Sequence, residues 1–335
     1  MNTWGTMPVL AFYGDEAEYA LKDVLGMSTV RASDDNTADK EVQNIQNFIS
    51  QKVDGLCIQA YGGTTVPTMA DAAASAKIPF VLCQAPPTDE IYNNLCANNP
   101  YFAGVIVSDL QADGRILGQK ALDDGCKTAC LIGGNIGDPN MDNRSAGFHA
   151  SFEAGGGKVL DEERCNDNSE CLAKATAMLS ANKDVDCVYI MVADYVQGTI
   201  TAIQQLNLPN VKCYLSAVDA GSAQYVTSGQ IVAASGGTCF GANFAPTLLL
   251  NLMDGHPIKD SNGNPPFFRV PSFLVTKDSV DAYISIFFGD NSHGTSPELI
   301  KNLCWRYNPN VTYQTYVDTF ATYLNMPAIM AAHGQ

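Results

Sequence analysis

The side chains with chemistry to offer collect where apolar runs stop. Tyr61 and Thr64 follow DGLCIQA, and Gln84 closes PFVLC. Asn135 follows CLIGG, Asp194 and Tyr195 follow VDCVYIMVA, and Asp219 ends VKCYLSAVD. Tyr13 ends the apolar run MPVLAFY, and Arg144 opens the helical pattern RSAGFHASFEA. Amides, hydroxyls, carboxylates and a forked guanidinium suit hydrogen bonding to a small polar molecule, and tyrosine rings can stack on a flat ligand face. Arginine at a helix start opposes the macrodipole, which an anionic or hydroxylated partner would explain; its alternative is an ordinary first-turn solvent arginine. Asp194 and Asp219 each suit the cap of the helix that follows as well as a ligand contact. Asp138 and Asn143 are further loop polars near Arg144.

These groups do not assemble into a reaction centre. The chain carries no GxSxG and no GK[ST], and YGDEAE stands where a nicotinamide enzyme needs GxGxxG. GGNIG at 133–137 lies mid-chain and lacks the third glycine's spacing. Of four histidines only His149 lies in a motif-bearing helix. No enzyme is expected, no cofactor, and no metal, because paired CxxC patterns are absent.

Alternating strands and helices must position these residues. The chain reads as strand MPVLAFY, helix GDEAEYALKDVLGM, strand MSTVRAS, and a helix EVQNIQNFISQKV with Thr37 as its cap and Val42, Ile45, Phe48 and Ile49 as its apolar stripe. Leu56–Ala60 is a strand buried on both faces. A helix over Val66–Ala76 and the strand PFVLCQ follow, then a loop-rich stretch TDEIYNNLCANNPYFAG. After strand GVIVSD comes the helix LQADGRILGQKALDD, whose Gly114 and Gly118 allow a close helix–sheet approach. The pattern restarts with CKTACLIGG and repeats through IVAAS; Ser169 reads as the cap of SECLAKATAMLSAN, and Thr276 as that of KDSVDAYIS. Two βα arrays, roughly 1–108 and 112–235, imply parallel sheets sheathed by helices, with ligands expected at the carboxyl ends of the strands.

Composition narrows the class. Nineteen Lys and Arg against 35 Asp and Glu leave a formal charge of −16, so a nucleic-acid partner is not expected. No apolar run reaches transmembrane length, and MNTWGTMPVL lacks the regions of a secretory signal. Of eleven cysteines, Cys57, Cys83, Cys130, Cys187 and Cys213 read as core filler within strands. Cys165 and Cys171 flank the polar loop NDNSE and are candidates for a local disulfide, Cys126 and Cys130 weaker ones.

The segments ADKEVQNIQNFISQKVDGLCIQ, AAASAKIPFVLCQ and VSDLQADGRILGQKAL, then NRSAGFHASFEAGGGKVL, VDCVYIMVAD, LMDGHPI and FLVTKDSVDAY, resemble in order and spacing the type I periplasmic binding proteins of the ribose and galactose class, over roughly residues 8 to 286. These are relatives of the ligand domain of the lactose-repressor family. The resemblance implies an α/β fold of two lobes, 1–108 plus 240–271 and 109–239 plus 272–288. Three hinge crossovers would lie near Ser108–Asp109, Ser235–Gly237 and Pro271–Phe273. Residues 289–335 lie outside the match and read as a C-terminal helical extension with aromatic residues that pack onto a lobe.

The resemblance also weighs on the site. Sugar-binding members carry an aspartate and an arginine where this chain has Gln84 and Ala85, and an asparagine where it has Ala193. Arg144 and Asp219 match the family's ligand-contacting arginine and hinge-side aspartate. A standard pentose or hexose is therefore less expected than a modified sugar, a polyol or a furanosyl signal such as autoinducer-2, enclosed as the lobes close. The implied role is substrate capture for the permease of an ABC importer, by a monomer that is periplasmic or extracellular, with any lipid anchor on a segment outside this chain; a module feeding a chemoreceptor or sensor kinase would use the same residues. A repressor is not expected, since about seven residues precede the first strand read here.

Overall fold

Strand and helix alternate along the chain and sort into two units. The structure, a computed structural model, describes residues 1–5 and 8–335. Elements are numbered in chain order. The first unit comprises Met1–Ser108, Cys239–Val270 and His293–Tyr323. It contains β1 (Asn2–Thr3), α1 (Pro8–Glu18), β2 (Ala32–Ser33), α2 (Ala38–Ser50), β3 (Leu56–Gln59), α3 (Val66–Ala76), β4 (Phe80–Cys83), α4 (Asp89–Asn98) and β5 (Phe102–Ser108). Later chain adds α10 (Phe240–Met253), β11 (Phe267–Val270), α12 (Pro297–Asn302) and α13 (Tyr313–Tyr323). Its six strands lie in the order β11-β5-β4-β3-β1-β2, all pairs parallel.

The second unit comprises Asp109–Thr238, Pro271–Ser292 and Leu324–Gln335. It holds α5 (Leu110–Asp123), β6 (Thr128–Gly133), α6 (Pro139–Ala154), β7 (Lys158–Arg164), α7 (Asn168–Ala181), β8 (Cys187–Ile190) and α8 (Val196–Gln205). Then come β9 (Lys212–Leu215), α9 (Ala223–Thr227), β10 (Ala233–Gly236), β12 (Phe273–Thr276), α11 (Val280–Phe288) and α14 (Met326–Ala332). Its sheet order is β12-β10-β9-β8-β6-β7, parallel except for β12, which runs antiparallel to β10.

Burial explains why these segments form these elements. Every residue of β3, β4 and β8 is buried, as strands covered by helices on both faces require. In α2, Ile45 and Phe48 are buried and Val42 and Ile49 pack half-buried beside them. The helix α10 is buried nearly all round, and its stripe of Asn243, Thr247 and Asn251 is met by Glu16, the Tyr316 hydroxyl and the Leu303 carbonyl.

Several segments differ from the sequence reading. MPVLAFY is not a strand: its first residue, Met7, lies outside the described residues, and Pro8–Glu18 is helical, continued by a π-helical turn over Tyr19–Val24. A short apolar run is compatible with either state, and the first strand is Asn2–Thr3. The stretch after Pro87 is not irregular. Thr88 accepts a hydrogen bond from the Ile91 N–H (3.3 Å) and starts α4. The cap of α7 is Asp167, whose carboxylate accepts from the Ser169 N–H (2.8 Å), so Ser169 lies inside the helix. Thr276 ends β12, and α11 starts after Ser279. All eleven cysteines are free thiols. Cys171 donates to the Tyr195 carbonyl (3.3 Å) and lies against Cys165 as a thiol, while Cys126 lies 3.8 Å from the Tyr214 hydroxyl.

The tail is divided between the units. Tyr316 of α13 is buried in the first, its hydroxyl donating to the Leu303 carbonyl (2.8 Å) and its ring stacked on Phe268 at 5.1 Å. In the same unit the buried Glu16 carboxylate meets His293 Nδ1 (2.6 Å) and accepts from Asn243 Nδ2 (2.6 Å). In the second unit Met326 and Ile329 of α14 are buried where that helix meets α11 and β12. The chain thus passes between units after Ser108, Thr238, Val270, Ser292 and Tyr323.

Gly114 and Gly118 serve a helix–helix contact, not a helix–sheet one. A Cβ at Gly114 would lie 2.0 Å from the Arg144 carbonyl oxygen, and one at Gly147 2.0 Å from that of Gln111, so α5 and α6 meet backbone to backbone. Gly114→Ala and Gly147→Ala are each expected to lower stability in denaturant titration by about 1–3 kcal/mol. Gly62→Ala, in open space, is expected within about 0.5 kcal/mol of wild type.

Candidate functional site

In the first unit the strands deliver polar groups to their carboxyl ends. Gln84, just past β4, is buried and sits in the left-handed region at φ 71°. A non-glycine residue held there is uncommon and costs about 1–3 kcal/mol, a cost that clusters at binding sites. Its N–H donates to the Ile106 carbonyl (3.3 Å), and Gly241 leaves room for its Oε1. Tyr61 and Thr64 are exposed on the turn after β3. Tyr13, read as a strand-end ring, is instead buried within α1 at 8% exposure.

Beside these lies a buried polar network that strand-by-strand reading did not single out. Asn2 Nδ2 donates to Asp34 Oδ2 (2.8 Å) and to the Gln59 carbonyl (3.2 Å), while Asn44 Nδ2 donates to Asn2 Oδ1 (2.9 Å). Trp4 donates its indole N–H to the Ala60 carbonyl and its backbone N–H to Gln59 Oε1 (3.4 Å). Gln59 is fully buried, and its Nε2 has no hydrogen-bond partner among the described residues. A buried donor without a partner is costly unless something else meets it. The available signal was a glutamine closing an otherwise apolar strand.

The second unit's rim is built differently. Arg144 does not open its helix, because α6 begins at Pro139. Its side chain is buried, Nε donating to Asp113 Oδ2 (2.9 Å) and Nη1 to the Met191 carbonyl (2.9 Å). It is not an ordinary solvent arginine: the guanidinium ties α5 and the end of β8 to α6. Tyr195 is buried too, its hydroxyl donating to the Cys165 carbonyl (3.5 Å), and burial pushes its phenol up to about 12. Beneath them the Tyr189 ring stacks on Phe148 at 4.6 Å, with its hydroxyl 2.6 Å from Ser216 Oγ.

Acceptors remain on the surface of that rim. Asp194 is exposed on a 3₁₀ turn, and Asn135 is exposed in the loop before α6. Asp219 Oδ1 accepts from the Ser222 N–H and hydroxyl, both 2.7 Å, so the capping role is real for one oxygen. Its Oδ2 takes no hydrogen bond among the described residues. Partial desolvation by the surrounding rim, and then the neighbouring Asp219 carboxylate, raise the Asp194 carboxyl above its ordinary range although its side chain reaches solvent. Ala217, between β9 and Asp219, is left-handed at φ 58°, its N–H held by Ser235 Oγ (2.9 Å). Among the described residues no three His, Cys, Asp or Glu side chains gather as a metal site. What the rims can do is exchange hydrogen bonds with a polar molecule.

Comparison with known proteins follows the same line. A family model described as periplasmic binding protein domain matches residues 7–255. No curated protein matches the sequence. Solved structures with this fold include a periplasmic ribose ABC transporter protein from Conexibacter woesei, at 19% identity and TM-score 0.70, covering 85% of this chain and 93% of that one. An arabinose ABC transporter binding protein from Shewanella sp. ANA-3, bound to L-arabinofuranose, gives 17%, 0.70, 84% and 92%. A solute binding protein from Actinobacillus succinogenes with bound D-allose gives 16% identity and TM-score 0.71, covering 84% and 98%.

The buried ion pair is the part of this rim most open to test. Arg144→Met is expected to lower stability by about 3–5 kcal/mol in denaturant titration, because it strands the Asp113 carboxylate. The double variant with Asp113→Leu should recover most of that loss; equal instability of the single and double variants would show that the pair is not what holds α5, α6 and β8 together.

Proposed function

This chain belongs to the periplasmic binding protein domain family, and on that premise we propose that it captures a small polyhydroxy ligand, a modified sugar or polyol, for an ABC importer. The family consists of extracytoplasmic solute-binding proteins, which are not enzymes and which work with a membrane permease. No helix among the described residues is long and apolar enough to cross a membrane.

One observation carries the ligand class. On the second unit's rim, Asp194 and Asp219 Oδ2 present adjacent carboxylate acceptors. Arg144 and Arg164, in the same unit, are bonded to Asp113 (2.9 Å) and Glu162 (2.6 Å). A rim rich in acceptors calls for a ligand rich in donors, and vicinal hydroxyls supply them. Tyr61, Thr64 and Gln84 on the first unit, with Asn135, Asp194 and Asp219 on the second, are the proposed contacts. Neutral amides and hydroxyls at the first rim suit the exchange of single hydrogen bonds with ring or chain hydroxyls. Sugars and polyols bound by structural relatives, D-allose, L-arabinofuranose and myo-inositol among them, support that class.

Titration calorimetry against D-allose, L-arabinose, D-ribose, myo-inositol and glycerol is the test. Binding of one or more is expected, and Asp194→Asn and Asp219→Asn should each weaken it about tenfold, near 1.4 kcal/mol. Heat with amino acids and none with any carbohydrate or polyol would reject the class.

A further inference from the structure

Glu41 is a fully buried carboxyl on the first turn of α2, and nothing above gives it a task. Its Oε1 accepts a hydrogen bond from the Tyr61 N–H (2.8 Å), and the Thr65 side chain faces the same carboxyl. Thr65 in turn donates to the Gly62 carbonyl (2.9 Å), so the turn over residues 61–65 closes on itself with Glu41 as its anchor. The other oxygen, Oε2, is buried without a hydrogen-bond partner among the described residues.

The charges around it offer no compensation. Asp34, at the end of β2, is buried and faces Glu41 with the same sign. Lys40 is exposed and paired with Asp35. Asp39 on α2 and Asp71 on α3 are exposed, and Tyr61 is the titratable group on the turn itself. A carboxylate with one bonded oxygen, one orphan oxygen and an acidic neighbour is poorly matched to its site. A neutral carboxyl keeps the bond to the Tyr61 N–H and sheds the buried charge. In agreement, burial pushes Glu41 up to about 7.

We propose that Glu41 is a positioning residue for the first unit's rim, latching the Tyr61–Thr65 turn while neutral and releasing it on ionisation. The link to binding rests on the reading of Tyr61 and Thr64 as ligand contacts; the latch does not. The sign follows from the shift. The closed turn holds the Glu41 proton more tightly than an open or unfolded chain, whose ordinary value is 4.5. Closure is therefore favoured below that value, loses ground as pH rises toward about 7, and stays at its weaker level above it.

The test compares wild type with Glu41→Gln, which keeps the acceptor and cannot ionise, and with Glu41→Ala, which removes the latch. Thermal unfolding and deuterium exchange of the 60–66 peptide, both without ligand, are followed from pH 4.5 to 8. After correction for intrinsic rates, exchange of that peptide in wild type should quicken up to about tenfold per pH unit between 4.5 and 7 and then level. Glu41→Gln should stay slow throughout and Glu41→Ala fast throughout. The midpoint of wild type should fall relative to Glu41→Gln by at least about 3 °C over the same range. Superimposable wild-type and Glu41→Gln profiles would overturn the latch. Myo-inositol, D-allose and L-arabinose titrated at pH 5 and 7.5 form a separate arm: no binding at either pH counts against the ligand class alone, and binding that ignores both pH and Glu41 removes the link between latch and ligand.

Discussion

A parallel sheet sheathed by helices on both faces makes an unsatisfied polar side chain costly along its length. Everything else in this protein follows from that constraint. In β3, β4 and β8 each residue is buried, so hydrogen-bonding chemistry is displaced to the carboxyl ends, where loops can reach solvent. Those ends carry Gln59, Gln84, Asp194 and Asp219. Left-handed backbone at Gln84 and Ala217 shows how sharply the chain turns there. The burial that stabilises each unit is thus also what concentrates its polar groups into a rim.

The two rims answer this constraint in different ways. The first is lined by neutral amides and hydroxyls above a buried network of Asn2, Asp34, Asn44 and Gln59. The second spends its buried arginine on Asp113 and leaves carboxylates facing outward. Gly114 and Gly147 let α5 and α6 meet backbone to backbone, in the same helix pair that carries the Asp113–Arg144 bond.

Much of this was legible in the sequence, for local reasons. Alternating apolar runs and amphipathic helices mark the doubly wound arrays, and α3 ends where the approach to Pro79 requires. Strand ends mark the positions of Gln84, Asp194 and Asp219. What was not legible depends on partners distant in sequence. The bond from Arg144 to Asp113, 31 residues earlier, has no local mark in the sequence. Tyr13 and Tyr195 read as accessible rings because sequence does not tell which neighbours bury them. The run VLAFY is short enough to be strand or helix, and α4 hid in a polar stretch whose one local signal was the Thr88 cap. Glu41 carries no local sign of its burial, since only the fold brings the 61–65 turn down upon it.

The central claim is that the strand carboxyl ends are where the ligand is met. Deuterium exchange with and without the tightest-binding sugar or polyol tests it most directly. The account predicts protection confined to peptides at 59–66, 84–88, 134–144, 192–196 and 216–222, with the amino ends of the same strands unchanged. Protection at the amino ends, or none at any strand end at a saturating concentration, would contradict it.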